Sequence, residues 1–251
     1  MSLLVALFAR EPVAGQTKTR LIPALGAEGA CALYEAFLDD VAATTQQLRA
    51  LHPDVELALY SAEAQPGPQL RERAERWGMG LVPQQGETLG DRMSHALSMG
   101  IARCGAALVL GTDVPTLPLR ILLTAREALR APPDTADATS AGPARATTSA
   151  LWCLGPAADG GYFLVGARHS APSFDAVRMG TRHALTDTVR ANPDRPAQRL
   201  APWYDVDTPS DLRLLRLHLR LDPRAAPATS EQLSTRPPPF AVNLGVRPET
   251  C

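Results

Sequence analysis

Three cationic side chains, Arg10, Lys18 and Arg20, are clustered in the stretch 8–21 (FAREPVAGQTKTRL), directly after a short apolar run. Arginine and lysine give charge-assisted donors to an anion, and Gly15 lets the backbone of this loop approach the anion closely. Lys18 is the only lysine among the 25 lysine and arginine residues, which indicates that a compact ammonium group is needed at this place. We interpret the loop as a phosphate cradle, and the alternative is a solvated basic loop.

A second group of candidates consists of carboxylates near predicted strand ends. Asp113, preceded by Thr112 as a further nucleotide contact, follows the apolar run 106–110, where a carboxylate can hold Mg²⁺ or Mn²⁺ against nucleotide phosphates. Asp205 and Asp207 alternate along an extended segment, so both side chains are expected to point to one side as further metal ligands. The alternatives are that Asp113 caps the following turn and that Asp207 serves the next helix N-terminus.

Two weaker motifs contain glycine. Asp159, Gly160 and Gly161 stand at the entrance to a predicted strand, where the glycines allow close approach of a ligand; a tight Asp-Gly turn is the alternative. Gly90 and Arg92 lie at the start of a predicted helix whose N-terminus could face the ligand, so that Arg92 could contact a base or a phosphate. The alternative for Arg92 is an ordinary exposed arginine.

The elements that must position these side chains alternate along the chain. Continuous apolar runs predict strands, and apolar residues three and four apart predict helices. The predicted order is strand 3–7, helix 26–49, strand 55–60, helix 69–77, a short strand 81–82, a helix from about residue 88, strand 106–110 and helix 119–130. This alternation predicts an α/β protein, a Rossmann-like three-layer α/β/α sandwich with a mostly parallel sheet. Right-handed crossovers then bring the ends of the first and fourth strands, and with them Lys18 and Asp113, to one edge.

The second half of the chain is less regular. Residues 131–148 are rich in Ala, Thr and Pro and predict a flexible insertion, either a solvated excursion or a substrate lid. The Pro-rich residues 222–251 predict a loosely packed or disordered tail, so that a single domain spans residues 1–221. Between these segments, regular structure is predicted at 149–154, at 162–165, as one or two helices within 172–192, and as a helix with Thr208 as its N-cap.

Composition excludes several functional classes. The formal net charge of -1 argues against a protein that coats nucleic acid or an anionic membrane. The four cysteines show no CxxC spacing, which favours a reducing compartment without structural zinc. No apolar run approaches the roughly 20 residues that cross a membrane, so we expect a soluble, cytoplasmic protein. The Walker A, GxGxxG and GxSxG patterns are missing, which disfavours P-loop hydrolysis, dinucleotide redox chemistry and serine hydrolysis.

Five motifs, taken in order, carry a resemblance that covers most of residues 4–215. They are FAREPVAGQTKTRL, GETLGDRM, LVLGTDVPTLP, LGPAADGGYFLVG and WYDVDTPSDL. Their order and spacing resemble a bacterial family with the nucleotide-diphospho-sugar transferase fold, described as GT-A-type glycosyltransferases and often labelled arsenosugar-biosynthesis glycosyltransferases. More distantly, the chain is similar to nucleotidyltransferases such as 2-phospho-lactate guanylyltransferase and the molybdenum-cofactor guanylyltransferases. Those enzymes share a Lys/Arg loop after the first strand and an Asp at the end of the fourth.

The resemblance implies a Rossmann-like α/β/α fold and a role for each motif. Lys18 and Arg20 would contact the donor phosphates. Asp113 would take the place of the metal-binding aspartate of the GT-A DxD region. Asp159, with its two glycines, would line the acceptor or ribose side.

The sequence departs from the family pattern at three places. Arg10 stands where the family commonly has Lys, a change that still suits a phosphate contact. Met179 stands where the family usually has Trp, which bears on the identity of the acceptor. The segment GTDVP contains a single Asp and not a full DxD, so a second metal ligand must come from elsewhere, with Asp205 or Asp207 as candidates.

We therefore expect a transferase that depends on Mg²⁺ or Mn²⁺ and uses a nucleotide-activated donor, in the first place a nucleotide sugar, with a small-molecule acceptor. Lys18, Asp113 and Asp159 are the expected catalytic residues. The first alternative is nucleotidyl transfer, in which a phosphorylated small molecule attacks the α-phosphate of a nucleoside triphosphate and pyrophosphate leaves. The second is a non-catalytic nucleotide-binding protein. The oligomeric state is left open.

Overall fold

The computed structural model describes residues 2–130, 152–195 and 197–235 of the 251-residue chain. The predicted insertion 131–148 lies outside these ranges. The strands are β1 Ser2–Ala9, β2 Val55–Ser61, β3 Gly80–Pro83, β4 Gly105–Gly111, β5 Trp152–Pro156, β6 Tyr162–Arg168 and β7 Gln198–Arg199. The helices are α1 Ile22–Leu25, α2 Ala27–Leu51, α3 Pro68–Trp77, α4 Leu89–Cys104, α5 Leu119–Leu129, α6 Ala184–Arg190, α7 Pro209–Leu221 and α8 Pro227–Ser234.

The described strands form one sheet of seven in the order β3-β2-β1-β4-β6-β5-β7. β1 pairs in parallel with β2 and β4, β2 pairs in parallel with β3, and β6 runs antiparallel to both β4 and β5. The chain therefore moves outward from β1 to β3 and then returns to add β4 on the other side of β1. A reversal of this kind leaves a crevice at the carboxyl ends of the central strands. The predicted α/β fold with a mostly parallel sheet is confirmed.

Alternate residues of β1 pack against helices on opposite faces of the sheet. Val5 belongs to the core that includes Phe37 of α2, whereas its neighbour Ala6 belongs to the core that includes Leu97 of α4. All four side chains are fully buried. Burial of a large apolar side chain stabilises the fold by about 1.5–3 kcal/mol. Because β1 is held from both faces, the loop at its carboxyl end starts from a fixed point.

Two helices that border the carboxyl edge of the sheet begin with the same capping box. At α4, the Thr88 hydroxyl accepts from the Asp91 N–H, and the Asp91 carboxylate accepts from the Thr88 N–H. Thr208 and Asp211 repeat this arrangement at α7. Each box satisfies two backbone donors that would otherwise lack partners, and it fixes the direction in which the preceding loop enters the helix.

The prediction of a loosely packed tail is wrong for residues 222–235. α8 forms there and packs on α2, where the Asp40 carboxylate accepts from the backbone N–H groups of Ala228 at 3.0 Å and Thr229 at 2.8 Å. The prolines of this stretch stand in the first turns of helices, where proline is tolerated, so their abundance did not indicate disorder. Residues 236–251 lie outside the described ranges.

Of two further expectations for the second half, the one or two helices within 172–192 are confirmed by one helix, and the extended segment around Val206 needs correction. Of residues 172–192, the last part forms α6, and the described backbone before it consists of turns and bends. The segment 203–207 is not a strand: Trp203 makes one isolated bridge to Ala157, and the residues after it are irregular. The alternation of acidic residues around Val206 was therefore not a strand pattern.

Within the described residues, none of the helices taken alone is long and apolar enough to span a membrane. The pair Thr19–Leu25 and Ala27–Leu51, bent by 117°, meets that criterion by length and composition when the two are taken together.

Candidate functional site

A cleft of about 620 Å³ opens at the carboxyl ends of the central strands, where the strand order reverses. We call it the carboxyl-edge cleft. Its walls come from the ends of β1 to β4, from the loop after β1 and from the start of α4. The residues that line it are Phe8, Ala9, Arg10, Gln16, Thr17, Lys18, Thr19, Arg20, Tyr34, Ala62, Gln84, Leu89, Arg92, Gly111, Thr112, Asp113, Gly180 and Asp207.

Lys18 contacts three oxygen atoms of the protein in this cleft. Its Nζ lies 2.7 Å from Oδ1 of Asp113 and 2.7 Å from Oδ1 of Asp207, and it donates to the carbonyl oxygen of Val206 at 2.8 Å. The Lys18 side chain is 5% exposed, whereas the two carboxylates are 41% and 40% exposed. Burial would lower the pKa of Lys18, but the charges of Asp113 and Asp207 outweigh burial and raise it. Lys18 therefore stays charged and joins the two carboxylates.

The backbone of Lys18 adopts a left-handed conformation, with φ 49° and ψ 44°. This conformation costs a non-glycine residue on the order of 1 kcal/mol or more and persists only where surrounding contacts enforce it. The Lys18 carbonyl accepts from the Leu21 N–H at 2.8 Å, and the Val206 N–H donates to the Asp113 carbonyl at 2.9 Å. The loop after β1, the end of β4 and the segment before α7 are thus joined at one point.

Three arginines supply the positive charge that the rest of the cleft does not neutralise. Arg10 and Arg20 are exposed, and neither forms an ion pair with any residue that the structure describes. Arg92 donates through Nε to the Gly86 carbonyl at 3.0 Å. Because the Lys18 ammonium is already balanced by two carboxylates, an incoming anion would meet the arginines first.

Thr112 serves as a link between strands as well as a wall of the cleft. Its hydroxyl donates to the Phe8 carbonyl at 3.2 Å and lies 3.3 Å from the hydroxyl of Tyr34. The Tyr34 hydroxyl in turn accepts from the Arg10 N–H at 3.1 Å. Burial raises the pKa of Tyr34 above its usual value, so this phenol stays protonated. The chain of contacts fixes the backbone of Arg10 against the end of β4.

Asp205 lies near the cleft but does not line it. Burial raises the pKa of Asp205 from 3.8 to about 6, and the nearby charge of Asp159 adds to the shift, followed by the charges of Asp207 and Asp113. The Asp205 carboxylate therefore interacts electrostatically with three others. Two of these, Asp113 and Asp207, contact Lys18 directly.

The Asp159 turn is held by contacts within the protein. The Gly161 N–H donates to Oδ1 of Asp159 at 2.7 Å, and the Leu185 N–H donates to the Gly160 carbonyl at 3.2 Å. Gly160 has a φ of +91°, and a Cβ atom there would come within 2.4 Å of the Arg182 carbonyl oxygen. A tight turn accounts for both glycines, and none of the three residues lines the cleft. The acceptor contact of Asp159 stays a prediction.

Two more predicted glycines lie outside the cleft. Gly15 has a φ of +82° and forms the turn that returns the loop toward Lys18. Gly90 lines a separate cavity of about 400 Å³, and a Cβ atom there would lie 2.9 Å from Cβ of Phe174. Gly90 therefore allows α4 to approach the loop 171–175. The nucleotide contacts of Gly15 and Gly90 stay predictions.

The carboxylates of the cleft are the groups that bear on the predicted divalent cation. Among the described residues, no three His, Cys, Asp or Glu side chains are grouped as a metal cage. Mg²⁺ and Mn²⁺ sites on nucleotide enzymes, however, use one or two carboxylates completed by substrate oxygens and water. The carboxylates of Asp113 and Asp207 are partly exposed, and both lie 2.7 Å from Nζ of Lys18. They are therefore close enough together to fit a site of that kind. Asp205 lies outside the cleft and does not belong to this pair.

The sequence did not point to several residues of the cleft. Ala62 and Gln84 follow directly after β2 and β3, so the reasoning that located Asp113 at the end of β4 could have found them. The Gln84 side chain donates to the Tyr60 carbonyl at 2.9 Å. Tyr34 fitted the apolar face of α2, and nothing in its spacing distinguished it from a core residue.

Comparisons with known proteins show the family to which the chain belongs. The model of the family described as "Uncharacterized protein conserved in bacteria (DUF2064)" matches residues 44–181, and the chain belongs to this family. No curated protein matches the chain.

Solved structures with the same fold include one with considerable sequence similarity. A crystal structure from Desulfovibrio desulfuricans G20, provisionally named a nucleotide-diphospho-sugar transferase, is 27% identical, with a TM-score of 0.74 and coverage of 94% of this chain and 95% of that one. The predicted resemblance and the predicted transferase class are confirmed by this likeness.

Two more distant structures share the fold alone. They are a 4-diphosphocytidyl-2C-methyl-D-erythritol synthase from Anaerococcus prevotii DSM 20548 (10% identity, TM-score 0.52, 87% and 98% coverage) and a cytidylyltransferase from Leptospira borgpetersenii serovar Hardjo-bovis strain JB197 (12%, 0.52, 94% and 93%).

Proposed function

We propose that this member of the DUF2064 family is a glycosyltransferase that uses a nucleotide sugar and a divalent cation, Mg²⁺ or Mn²⁺, to modify a small-molecule acceptor. One observation carries the proposal. In the carboxyl-edge cleft, Arg10 and Arg20 have no ion-pair partner in the described part of the chain, and they line the same cavity as Asp113 and Asp207. The likeness to the Desulfovibrio protein, at 27% identity over 94% of this chain, supports a nucleotide sugar as the donor.

The cationic side chains would divide the work between binding and positioning. Arg10 and Arg20 would donate to the phosphate oxygens of the donor and counter the negative charge that builds on the leaving nucleoside diphosphate. Lys18 would hold Asp113 and Asp207 close together, because its ammonium lies 2.7 Å from both carboxylates. Arg92, at the rim of the cleft, would bind the base or the terminal phosphate.

Asp113 and Asp207 would hold the divalent cation. When bound, such a cation neutralises charge on the phosphates of the donor and fixes their orientation. The Thr88 and Thr208 capping boxes would keep the two bordering loops in place while the donor enters. We propose no general base, since Asp159 lies in a turn outside the cleft.

Nucleotidyl transfer is a second candidate, favoured by the number of cations. Arg10, Arg20 and Arg92 all line one cavity of about 620 Å³, and three arginines suit a triphosphate as well as a diphosphate. In that case a phosphorylated acceptor attacks the α-phosphate, the bond to the β-phosphate breaks, and pyrophosphate leaves.

One experiment tests the function and separates the two candidates. The purified chain, with Mg²⁺ and with Mn²⁺, is screened for thermal stabilisation by nucleoside triphosphates and by nucleotide sugars, because a ligand of the folded state raises the melting temperature. The best ligand is then incubated with a mixture of small acceptors, and the products are separated. Release of a nucleoside diphosphate from a nucleotide sugar supports glycosyl transfer. Pyrophosphate release from a triphosphate supports nucleotidyl transfer instead, and stabilisation by neither class contradicts both.

A further inference from the structure

Glu11 follows Arg10 in the loop after β1, yet its side chain points away from that loop to the start of α3. Oε1 of Glu11 accepts from the Gln69 N–H at 2.8 Å, and Oε2 accepts from the Leu70 N–H at 3.2 Å. α3 begins with Pro68, which has no N–H, and the Arg71 N–H already donates to the Gly67 carbonyl. Glu11 thus satisfies both remaining donors of the first turn, where its negative charge also suits the helix dipole.

Gly67 shows that the position of this carboxylate is closely defined. A Cβ atom built at Gly67 would lie 2.3 Å from Cδ and 2.5 Å from Oε1 of Glu11. The backbone of Gly67 is ordinary extended chain, with φ -74° and ψ 177°, so glycine is not required there by conformation. A side chain at Gly67 would instead displace the Glu11 carboxyl group, which occupies the place of its Cβ atom.

The main chain of Glu11 is held as well. Its N–H donates to Oε2 of Glu63 at 3.0 Å, and its carbonyl accepts from the Thr17 hydroxyl at 3.4 Å. The same hydroxyl accepts from the Val13 N–H at 3.0 Å, and Thr17 is 2% exposed. Glu11 therefore connects α3 to both arms of the loop, one of which leads from Arg10 and the other to Lys18.

We propose that Glu11 is a positioning residue: its carboxylate caps α3 from outside the helix and so holds Arg10 and the rest of the loop in the arrangement that binds phosphate. The part that concerns phosphate rests on the proposed function. Glu11 does not line the carboxyl-edge cleft, so its loss weakens binding through the loop and leaves the chemical step almost unchanged.

The test uses both sides of the contact. Glu11→Ala removes the carboxylate, and Gly67→Ala displaces it by adding one methyl group outside the cleft. Each is expected to raise the Kd of the nucleotide that stabilises the wild type by about tenfold, measured well below the unfolding temperature, with kcat at saturation within about threefold. Glu72→Gln, an exposed acid on α3, is the matched control and is expected to bind as the wild type does.

The double variant tests whether the two substitutions act through the same contact. If the Gly67 methyl acts by displacing Glu11, then Gly67→Ala made in the Glu11→Ala background changes Kd no further. Additive losses, or a normal Kd in both single variants despite a lowered melting temperature, would overturn the proposal, since Glu11 would then matter to stability alone.

A measurement without ligand separates this inference from the function. Amide hydrogen exchange of residues 10–21 is expected to speed up in Glu11→Ala and Gly67→Ala, and to stay unchanged in Glu72→Gln. A wild type that binds no nucleotide contradicts the proposed function and with it the phosphate-binding role of the loop. Faster exchange would then still support the anchoring of the loop by Glu11, and unchanged exchange would overturn that as well.

Discussion

Nζ of Lys18 lies 2.7 Å from Oδ1 of Asp113, although one residue follows β1 and the other follows β4. A second carboxylate, from Asp207, lies at the same distance from the ammonium. Because two carboxylates already balance the charge of Lys18, its ammonium is less available to an anion than the arginines around it. Lys18 organises the cleft, and Arg10 and Arg20 are the groups that remain available to an anion.

Replacement of Lys18 by methionine tests its organising role. In Lys18→Met, two carboxylates face each other without the cation between them, so the free energy of unfolding should fall by about 1–2 kcal/mol. This is less than the loss of a fully buried pair, because both carboxylates are about two-fifths exposed. Urea denaturation measures the change. In Lys18→Met combined with Asp113→Asn the loss should be smaller than the sum of the single losses. Unchanged stability of Lys18→Met would contradict the role.

The cleft arginines should act on binding and not on stability. Arg10→Ala and Arg20→Ala each remove a charge-assisted contact to phosphate, worth about 1.5 kcal/mol, so the nucleotide Kd should rise about tenfold or more. Titration calorimetry measures the Kd, and the unfolding midpoint should stay within the error of the wild type. Arg71→Ala, an exposed arginine on α3, is the control. Wild-type affinity in both cleft variants would show that the phosphates bind elsewhere.

Asp205 predicts a specific pH dependence of stability. Its pKa is raised from 3.8 to about 6 in the folded state, so the folded chain binds more protons than the unfolded chain between these values. The ionised Asp205 carboxylate therefore lowers the free energy of unfolding. This cost develops as the pH rises from about 4 to about 6. Asp205→Asn removes the cost and should stabilise the ligand-free protein at pH 7 but not at pH 4. Thermal unfolding at the two pH values measures the difference, and equal effects at both would refute the prediction.

Gly160→Ala distinguishes a structural turn from a ligand contact. The added Cβ would meet the Arg182 carbonyl, and the left-handed φ of +91° is unfavourable for alanine. Stability should fall by more than 1 kcal/mol, since the native conformation is incompatible with the new residue. Nucleotide affinity measured well below the unfolding temperature should be retained. Lost affinity in a stably folded variant would bring this turn back into the binding site.

Much of the fold and of the cleft could be predicted from apolar runs and from the polar residues that follow them. The apolar runs around Val5 and Leu108 located β1 and β4, and the crossover rule then placed Lys18 and Asp113 on one edge. The N-cap at Thr208 could be predicted because a threonine followed by a proline and an acid in the first turn is a local signal of a helix start. These features depend on short stretches of chain or on general rules of topology.

Other features could not be predicted because they depend on contacts between distant segments. No local sequence pattern shows that the Lys18 ammonium would form an ion pair with Asp207, or that the Glu11 side chain would cap α3. Composition misled the prediction at 222–235, where prolines start helices instead of breaking them. The acids at 205 and 207 looked like a strand alternation, but an irregular segment carries them, and the structure brings Asp207 alone into the cleft.

The most direct measurement is a crystal structure of the protein with a nucleoside diphosphate and Mg²⁺. We expect the phosphates to lie in the carboxyl-edge cleft within hydrogen-bond distance of Arg10 and Arg20, with Asp113 and Asp207 on the metal. A nucleotide bound outside this cleft, or bound within it while Arg10 and Arg20 point away from its phosphates, would contradict the proposed phosphate site.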